Sequence, residues 1–270
     1  MPFREQSFVV SITSFGDRVG LLGESLRNIA GQSRLPEAVH LNLPERSTED
    51  AKFLQNLSLP FELVVEFSPD IGPAMKLIPT AKRGVMVPII TLDDDIAYPA
   101  DRLESLLNVH QQFPDAVVSH CARLIPPTRQ PWIIPYQLWP KLDLAKPQSI
   151  SNAIPLGREG VLYPAERWPP GLFEVKRLER LYRSTDDLWF WGHFARYGIQ
   201  NIVIGAPGFS PELPGPPRDS LWESNKFGQN NQNLRRFLNE IPWGRALSSA
   251  SSRKLFLDQV KKAAHRKLGA

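Results

Sequence analysis

Three consecutive carboxylates, Asp93, Asp94 and Asp95, close the apolar run Val85-Met86-Val87-Pro88-Ile89-Ile90-Thr91-Leu92, and Tyr98-Pro99 stops the segment shortly afterwards. Adjacent carboxylates repel one another, and an oxygen-seeking divalent cation such as Mg²⁺ or Mn²⁺ commonly offsets that repulsion. An acidic turn that simply stays hydrated needs no ion, and that reading stands beside the first. The apolar run favours a placed site. Bounded by turn residues it reads as a buried strand, and ligands of open α/β sheets collect at the carboxyl ends of such strands.

The elements that must position these acids alternate in type along the first 120 or so residues. Ser7 to Thr13, Ala38 to Leu43, Phe61 to Phe67, Val87 to Leu92 and Ala116 to Cys121 read as strands. Between them, Leu21 to Gln32 carries Leu22, Leu26 and Ile29 at helical spacing. Thr48 to Leu57 opens with an acidic first turn, and Ala74 to Lys82 and Ala100 to Phe113 are further helices. Such alternation predicts an α/β fold with a mostly parallel central sheet flanked by helices. After residue 122 the pattern breaks. Ile125 to Pro147 is dense in proline and tryptophan and reads as a long ordered loop or irregular lobe. Ser184 to Tyr197 returns to helix, capped by Gly198, and Asn201 to Ile204 is a short strand. Asn230 to Glu240 is a polar helix-like piece.

Other residues could bear chemistry. Thr13-Ser14-Phe15-Gly16-Asp17-Arg18 is a strand-end loop whose backbone donors and guanidinium suit a phosphate or a base, unless Arg18 is only a solvated charge. Lys76 falls in the first turn of the helix expected from Ala74, where a cation is unfavourable without an anion nearby and where the helix amino end would favour a diphosphate. Asp186 and Asp187 open a helix, and Ser184 with Asp187 also spells a capping box, which would make the acids structural. Gly157-Arg158-Glu159-Gly160 permits close backbone approach or is an ordinary hairpin turn. His193 reads as a packed histidine.

The 270 residues can bury a large core, and 42% hydrophobic with 22% charged residues is ordinary for a globular protein. No apolar stretch is long enough for a membrane span and the first residues lack a secretory core, so a cytoplasmic protein is expected. The single cysteine, Cys121, excludes an internal disulfide framework and is expected to be unreactive. A net charge of +4 does not argue for nucleic acid. Much of the excess lies in Arg253, Lys254, Lys261, Lys262, Arg266 and Lys267, interleaved with Leu255, Phe256, Leu257, Val260 and Leu268. That basic amphipathic helix can cover the body of the protein or rest peripherally on an anionic membrane.

Three elements in order, Val9-Val10-Ser11-Ile12-Thr13-Ser14-Phe15, Asp70-Ile71-Gly72-Pro73-Ala74-Met75-Lys76 and Asp93-Asp94-Asp95-Ile96-Ala97-Tyr98-Pro99, together resemble a GT-A glycosyltransferase. More narrowly, they look like bacterial polysaccharide-building transferases of the family 2-like kind, well over residues 7 to 121 and loosely over 155 to 230. The resemblance implies a GT-A fold with a Rossmann-like nucleotide-sugar-binding half at 1–122, an irregular acceptor and catalytic half of the same domain at 123–245, and the basic helix at 246–270. It implies a metal-dependent hexosyltransferase-type enzyme moving a sugar from a nucleotide-sugar donor, with UDP expected, to a glycan hydroxyl. Thr13, Ser14 and Arg18 would touch the nucleotide, Asp70 the base or ribose, and Lys76 a phosphate or the sugar. Asp93 would meet the ribose, Asp95 would hold Mn²⁺ or Mg²⁺, and Asp94 would orient or accept. Asp186 or Asp187 would be the acceptor base, while Gly157, Arg158 and Trp189 would border the sugar. The family often places a late metal ligand near residues 222–233, where this chain has no histidine, so Asn225 or Lys226 would have to serve. The alternatives are a nucleotidyltransferase, although the loop after the first strand is poor in glycine, and a non-enzymatic carbohydrate- or nucleic-acid-binding module, which would leave the acidic triplet unexplained.

Overall fold

A computed structural model of the chain describes residues 7–205, 208–214, 228–240 and 250–268. Its centre is an eight-stranded sheet of order β3-β2-β1-β4-β9-β5-β10-β7. The strands are β1 (Val9–Thr13), β2 (Ala38–Pro44), β3 (Glu62–Ser68), β4 (Ile89–Thr91), β5 (Val117–Ser119), β7 (Gln148–Ser149), β9 (Val161–Tyr163) and β10 (Asn201–Val203). β6 (Ala122–Leu124) and β8 (Ala153–Pro155) form a separate antiparallel pair. β1 lies parallel to β2 and β4, with Val9 opposite Ala38 and Ile89, so the ends of β1 and β4 open at the same edge. Strands buried on both faces read as continuous apolar runs, which is why β1 and β4 were legible.

The helices are α1 (Leu22–Ala30), α2 (Ile78–Lys82), α3 (Arg102–Gln112), α4 (Val175–Tyr182), α5 (Asp186–Arg196), α6 (Gln229–Glu240) and α7 (Ala250–Leu268). One core packs Leu22, Leu26 and Ile29 of α1 and Leu103, Leu106 and Leu107 of α3 against one face of the sheet. The other packs Ile78 of α2, Leu178 of α4 and Trp189, Phe190 and Phe194 of α5 against the opposite face. The result is the three-layer α/β arrangement expected.

Three local expectations change. In place of the 48–57 helix the chain forms a 3₁₀ turn at Lys52–Asn56, preceded by another at Glu45–Ser47, with Ala51 and Leu54 in the core and Phe53 and Leu57 packed against it. The helix expected from Ala74 is a 3₁₀ turn, Gly72–Lys76, followed by the five-residue α2. Pro79 lacks the N–H that a continuous helix would need there. Lys76 therefore ends a 3₁₀ turn, and the expected helix amino end for a diphosphate does not form. The Gly157 segment is no hairpin, since β8 before it and β9 after it belong to different sheets. β9 inserts antiparallel between β4 and β5.

Residues 125–147 are ordered by two 3₁₀ turns, Pro131–Ile133 and Tyr136–Leu138, by backbone hydrogen bonds and by side chains. Trp139 Nε1 donates to Ile134 O at 2.9 Å, and Asn231 of α6 donates to Trp132 O and Ile134 O. α7 packs Leu255 and Phe256 against the small core beside β10 and donates from Gln259 and Lys262 to Asp143 O, so it covers the body of the protein. No described helix is long and apolar enough to cross a membrane.

Candidate active site

A cleft of about 1140 Å³ lies where β1 and β4 end, and it gathers residues scattered over most of the sequence. Its lining includes Thr13, Ser14, Arg18, Asp70, Lys76, Asp93, Asp94, Asp95, Arg158, Asp186 and Asp187. Gly157 and Trp189 are not among them. Asn225 lies outside the described residues.

Lys76 is the hub. Its side chain is 6% exposed, and Nζ stands 3.0 Å from Asp186 Oδ2, 3.3 Å from Asp93 Oδ1 and 3.7 Å from Asp187 Oδ1. Burial alone would lower its pKa, but the attraction of Asp186, Asp93 and Asp187 outweighs burial and holds the ammonium well above the usual lysine range. Lys76 also lines the cleft, where three carboxylates surround its ammonium. Gly157 makes room for this. A Cβ there would overlap Lys76 Nζ and come within 2.7 Å of Asp187 Oδ1.

The two acids of α5 differ. Asp186 is nearly enclosed and pairs with Lys76, whereas Asp187 is 30% exposed at its side chain and faces the cleft. Both Asp187 oxygens lie 3.1 Å from the Gly157 N–H, which donates to them. The N-cap of α5 is Thr185, with no side-chain capping bond, so the capping-box reading of Ser184 and Asp187 is replaced by this tertiary contact. Burial of the rest of the group pushes the Asp187 pKa up to about 7; Lys76 opposes the shift, and Asp186 and Asp93 add to it.

On the other side of the cleft, Arg18 forks between the acids, Nη2 to Asp94 Oδ1 at 3.0 Å and Nη1 to Asp95 Oδ2 at 3.1 Å. Asp94 is buried, and that burial, opposed by Arg18, pushes its pKa up to about 6. The Ser14 hydroxyl comes near enough to ease this charge, yet neither Ser14 Oγ nor Asp94 Oδ2 completes a well-formed hydrogen bond. Thr13 Oγ1 donates to Asn42 O at 2.7 Å on the cleft wall. Asp70 is held at the rim, its Oδ1 accepting from Gly72 N–H at 2.8 Å and lying 3.0 Å from Arg183, its Oδ2 2.8 Å from Arg46. Gly72 takes φ +74°, and a Cβ there would press on Arg183 O.

Several contributors had not been singled out. Tyr98 Oη accepts the Asp93 N–H at 2.8 Å and donates to Arg158 O at 2.9 Å, joining the acidic loop to the Gly157 segment. Glu159, fully buried, pairs with Arg102 and accepts from both Ser210 N–H and Ser210 Oγ. The 208–214 segment then runs beside the acids, with Leu213 N–H donating to Asp95 O at 2.8 Å and Ala97 N–H to Pro211 O at 2.8 Å. Tyr98 had been read only as a stop and Glu159 only as part of a turn. Tyr98 lies in the otherwise apolar stretch Ile96-Ala97-Tyr98-Pro99, and no comparable local signal marks Glu159 between Arg158 and Gly160.

Trp189 was expected at the sugar pocket and is corrected. It is fully buried beneath the site, its Nε1 donating to Leu172 O and its ring 5.1 Å from Tyr182, because the α5 face that carries it packs on the sheet. His193, one turn on, is packed against Trp189 and Phe237 as expected.

A divalent ion does not fit this arrangement. Among the described residues no group of three or more His, Cys, Asp or Glu side chains is arranged to hold one. Asp94 and Asp95 face Arg18, and Asp93 faces Lys76, so the repulsion within the triplet is met by two of the chain's own cations.

No family model matches the sequence, and no curated protein matches it. Solved structures do share the fold. S. aureus TarS residues 1–349 in complex with UDP-GlcNAc aligns over 94% of this chain and 72% of that one, with TM-score 0.59 and 12% identity. The mannosyltransferase PcManGT from Pyrobaculum calidifontis in complex with GDP-Man and Mn²⁺ aligns over 98% and 76%, with TM-score 0.52 and 16% identity. The chain therefore has a GT-A-like α/β fold.

Proposed function

We propose that this protein is a glycosyltransferase that moves a sugar from a nucleotide-sugar donor to a hydroxyl of a glycan acceptor. The observation that carries the reading is the meeting, in one cleft, of the β1 loop, the Asp93–Asp95 strand end and the Asp186-Asp187 helix start. Two glycosyltransferases of the same fold, one with UDP-GlcNAc and one with GDP-Man and Mn²⁺, support a diphosphate-linked donor.

In this reading the donor lies over the ends of β1 and β4, with Thr13, Ser14 and Asp93 toward the nucleoside and Asp70 at the rim toward the base. Arg18 is the cleft cation whose fork suits a diphosphate. Asp187 is the acceptor base: it faces the cleft, is oriented by the Gly157 N–H, and is more basic than an ordinary carboxylate. It takes the proton of the acceptor hydroxyl as the oxygen bonds to the anomeric carbon. The bond from that carbon to the diphosphate oxygen breaks, and its electron pair leaves with the nucleoside diphosphate. This is a single displacement with inversion. Asp186 holds the Lys76 ammonium at 3.0 Å, nearer than Asp187 at 3.7 Å.

The test is a panel of UDP- and GDP-sugars scored by thermal shift and by nucleoside diphosphate release, each with and without Mn²⁺. Binding of a sugar nucleotide raises the melting temperature only if the native cleft takes it. NMR of the product then reports the anomeric configuration. Absence of any shift across the panel rejects the donor assignment, and a retained configuration rejects Asp187 as base of a single displacement.

A further inference from the structure

Away from the acids, one corner of the cleft is built from cations and aromatic rings. Arg123 of β6 and Lys141 stand opposite one another in an antiparallel bridge, framed by Leu124 N–H to Pro140 O at 2.9 Å and Leu142 N–H to Ala122 O at 3.0 Å. Opposed residues of an antiparallel pair project from the same face, and like charges set directly opposite destabilise it. Arg123 is buried, its Nη1 donating to Trp139 O at 2.6 Å and its Cζ 5.0 Å from the centroid of the Tyr136 ring. Lys141 Nζ lies 3.5 Å from the centroid of the Phe209 ring, and Arg158 Cζ lies 5.2 Å from the same centroid. Arg123, Tyr136, Arg158 and Phe209 line the cleft, and Lys141 adjoins that lining through Phe209.

The acids near this corner are engaged elsewhere. Glu159 is taken up by Arg102 and Ser210, Glu212 stands 3.8 Å from Arg158 Nη2, and Asp143 pairs with Arg266. Among the described residues Lys141 Nζ meets no carboxylate and no hydrogen-bond acceptor, only the Phe209 ring. Burial lowers its pKa, and Arg123 adds to that shift. An oxyanion between Lys141 and Arg123 would relieve the like-charge contact and accept charge-assisted hydrogen bonds. The corner also adjoins the acceptor base, since Arg158 follows Gly157, whose N–H orients Asp187. We infer that this corner, with Lys141 at its centre, seats a phosphate or carboxylate group carried by the glycan acceptor. Assigning the seat to the acceptor rests on the transfer reading proposed above, whereas the oxyanion seat itself does not.

The test titrates three probes into the full chain without donor, followed by NMR of the probe at constant ionic strength, because salt screens charge pairs. The probes are trigalacturonate, a glycerol phosphate trimer and neutral maltotriose. One of the two anionic probes is expected to bind about tenfold or more tighter than maltotriose, the worth of one hydrogen bond to a charged group, and the one that does identifies the oxyanion as carboxylate or phosphate. Lys141→Gln is expected to remove most of that preference, and Lys141→Arg to keep it. Lys254→Gln, which deletes the same charge on α7, should leave binding unchanged. Melting curves establish that each variant is folded, and if Lys141→Gln is not, Phe209→Leu, which removes the ring beneath the ammonium, decides, with weaker binding of the anionic probe expected. Absence of any preference for an anionic probe, a preference that survives Lys141→Gln, or an equal loss in Lys254→Gln overturns the inference. The titration contains no donor, so its failure is distinct from failure of the transfer assay.

Discussion

Lys76 Nζ sits 3.0 Å from Asp186 Oδ2, joining the loop after β3 to the first turn of α5. Through the same ammonium, Asp93 at the end of β4 is drawn into the contact. The cation binds the strand-end acid Asp93 and the α5 acids Asp186 and Asp187 into one cluster. Its own position is buried, so the pairing is not exchangeable with solvent in the way surface ion pairs are.

Removing that cation leaves three acids without compensation. Breaking a buried charge pair by deleting one partner costs about 3–5 kcal/mol. Lys76→Met is therefore expected to lose about 3 kcal/mol of unfolding free energy in urea, with part of the penalty relieved by proton uptake on the acids. A loss below about 1 kcal/mol would mean that the cluster is solvated in the native protein.

Asp187→Asn keeps the shape of the side chain and removes its basicity. Transfer is expected to fall by about 10²- to 10⁴-fold, the usual contribution of a general base. Affinity for the donor should change little, since Asp187 is assigned to the acceptor. Steady-state kinetics with donor and acceptor varied separately distinguishes this from a general loss of structure.

The pH dependence follows from the same residue. Asp187 has its pKa pushed up to about 7, and a base acts only when deprotonated. The rate should rise about tenfold per pH unit below 7 and level off above it. A profile flat from pH 5.5 to 8 would show that another group takes the proton.

Gly157→Ala tests the close packing behind the base. The added methyl would occupy space held by Lys76 Nζ and crowd Asp187. The ammonium is the end of a flexible chain, but three carboxylates hold it, so it cannot retreat without losing partners. Lower transfer and a lower melting temperature together are expected. Wild-type values for both would show that the segment yields freely.

Stability should carry a histidine signature. His40, His120 and His193 are held neutral by burial, each with its pKa lowered to about 4. Between pH 6.5 and 4 the unfolded chain therefore binds more protons at these sites, so their contribution to stability is lost as pH falls through that window. Asp94 and Asp187 run the other way, because their native pKa values are raised and their contribution is lost as pH rises through about 6 and 7. His193→Gln should shrink the drop in melting temperature between pH 6.5 and 4.5. An unchanged drop would show that His193 is already protonated in the native state.

Much of the fold was legible because its signals are local. Val9–Thr13 and Ile89–Thr91 are short apolar strands, and Leu22, Leu26 and Ile29 repeat at the helical period. What misled was short-range as well. The acids at 49 and 50 imitate a helix start, Pro79 interrupts a helix that the flanking residues favour, and Val161–Tyr163 is too short to announce itself as the strand that links β4 to β5.

The amino-acid sequence by itself determined that three carboxylates would close a buried strand, that a second acidic pair would open a later helix, and that an arginine would follow the first strand, because each depends on neighbours within a few residues. Only the tertiary structure decided which charge faces which. Lys76 meets Asp186 rather than solvent, Arg18 meets Asp94 and Asp95, Asp187 is aimed by the Gly157 backbone, and Trp189 supports the site from the core. Those pairings join residues distant along the chain, and burial and Coulomb attraction act on distance in space, which no run of sequence encodes.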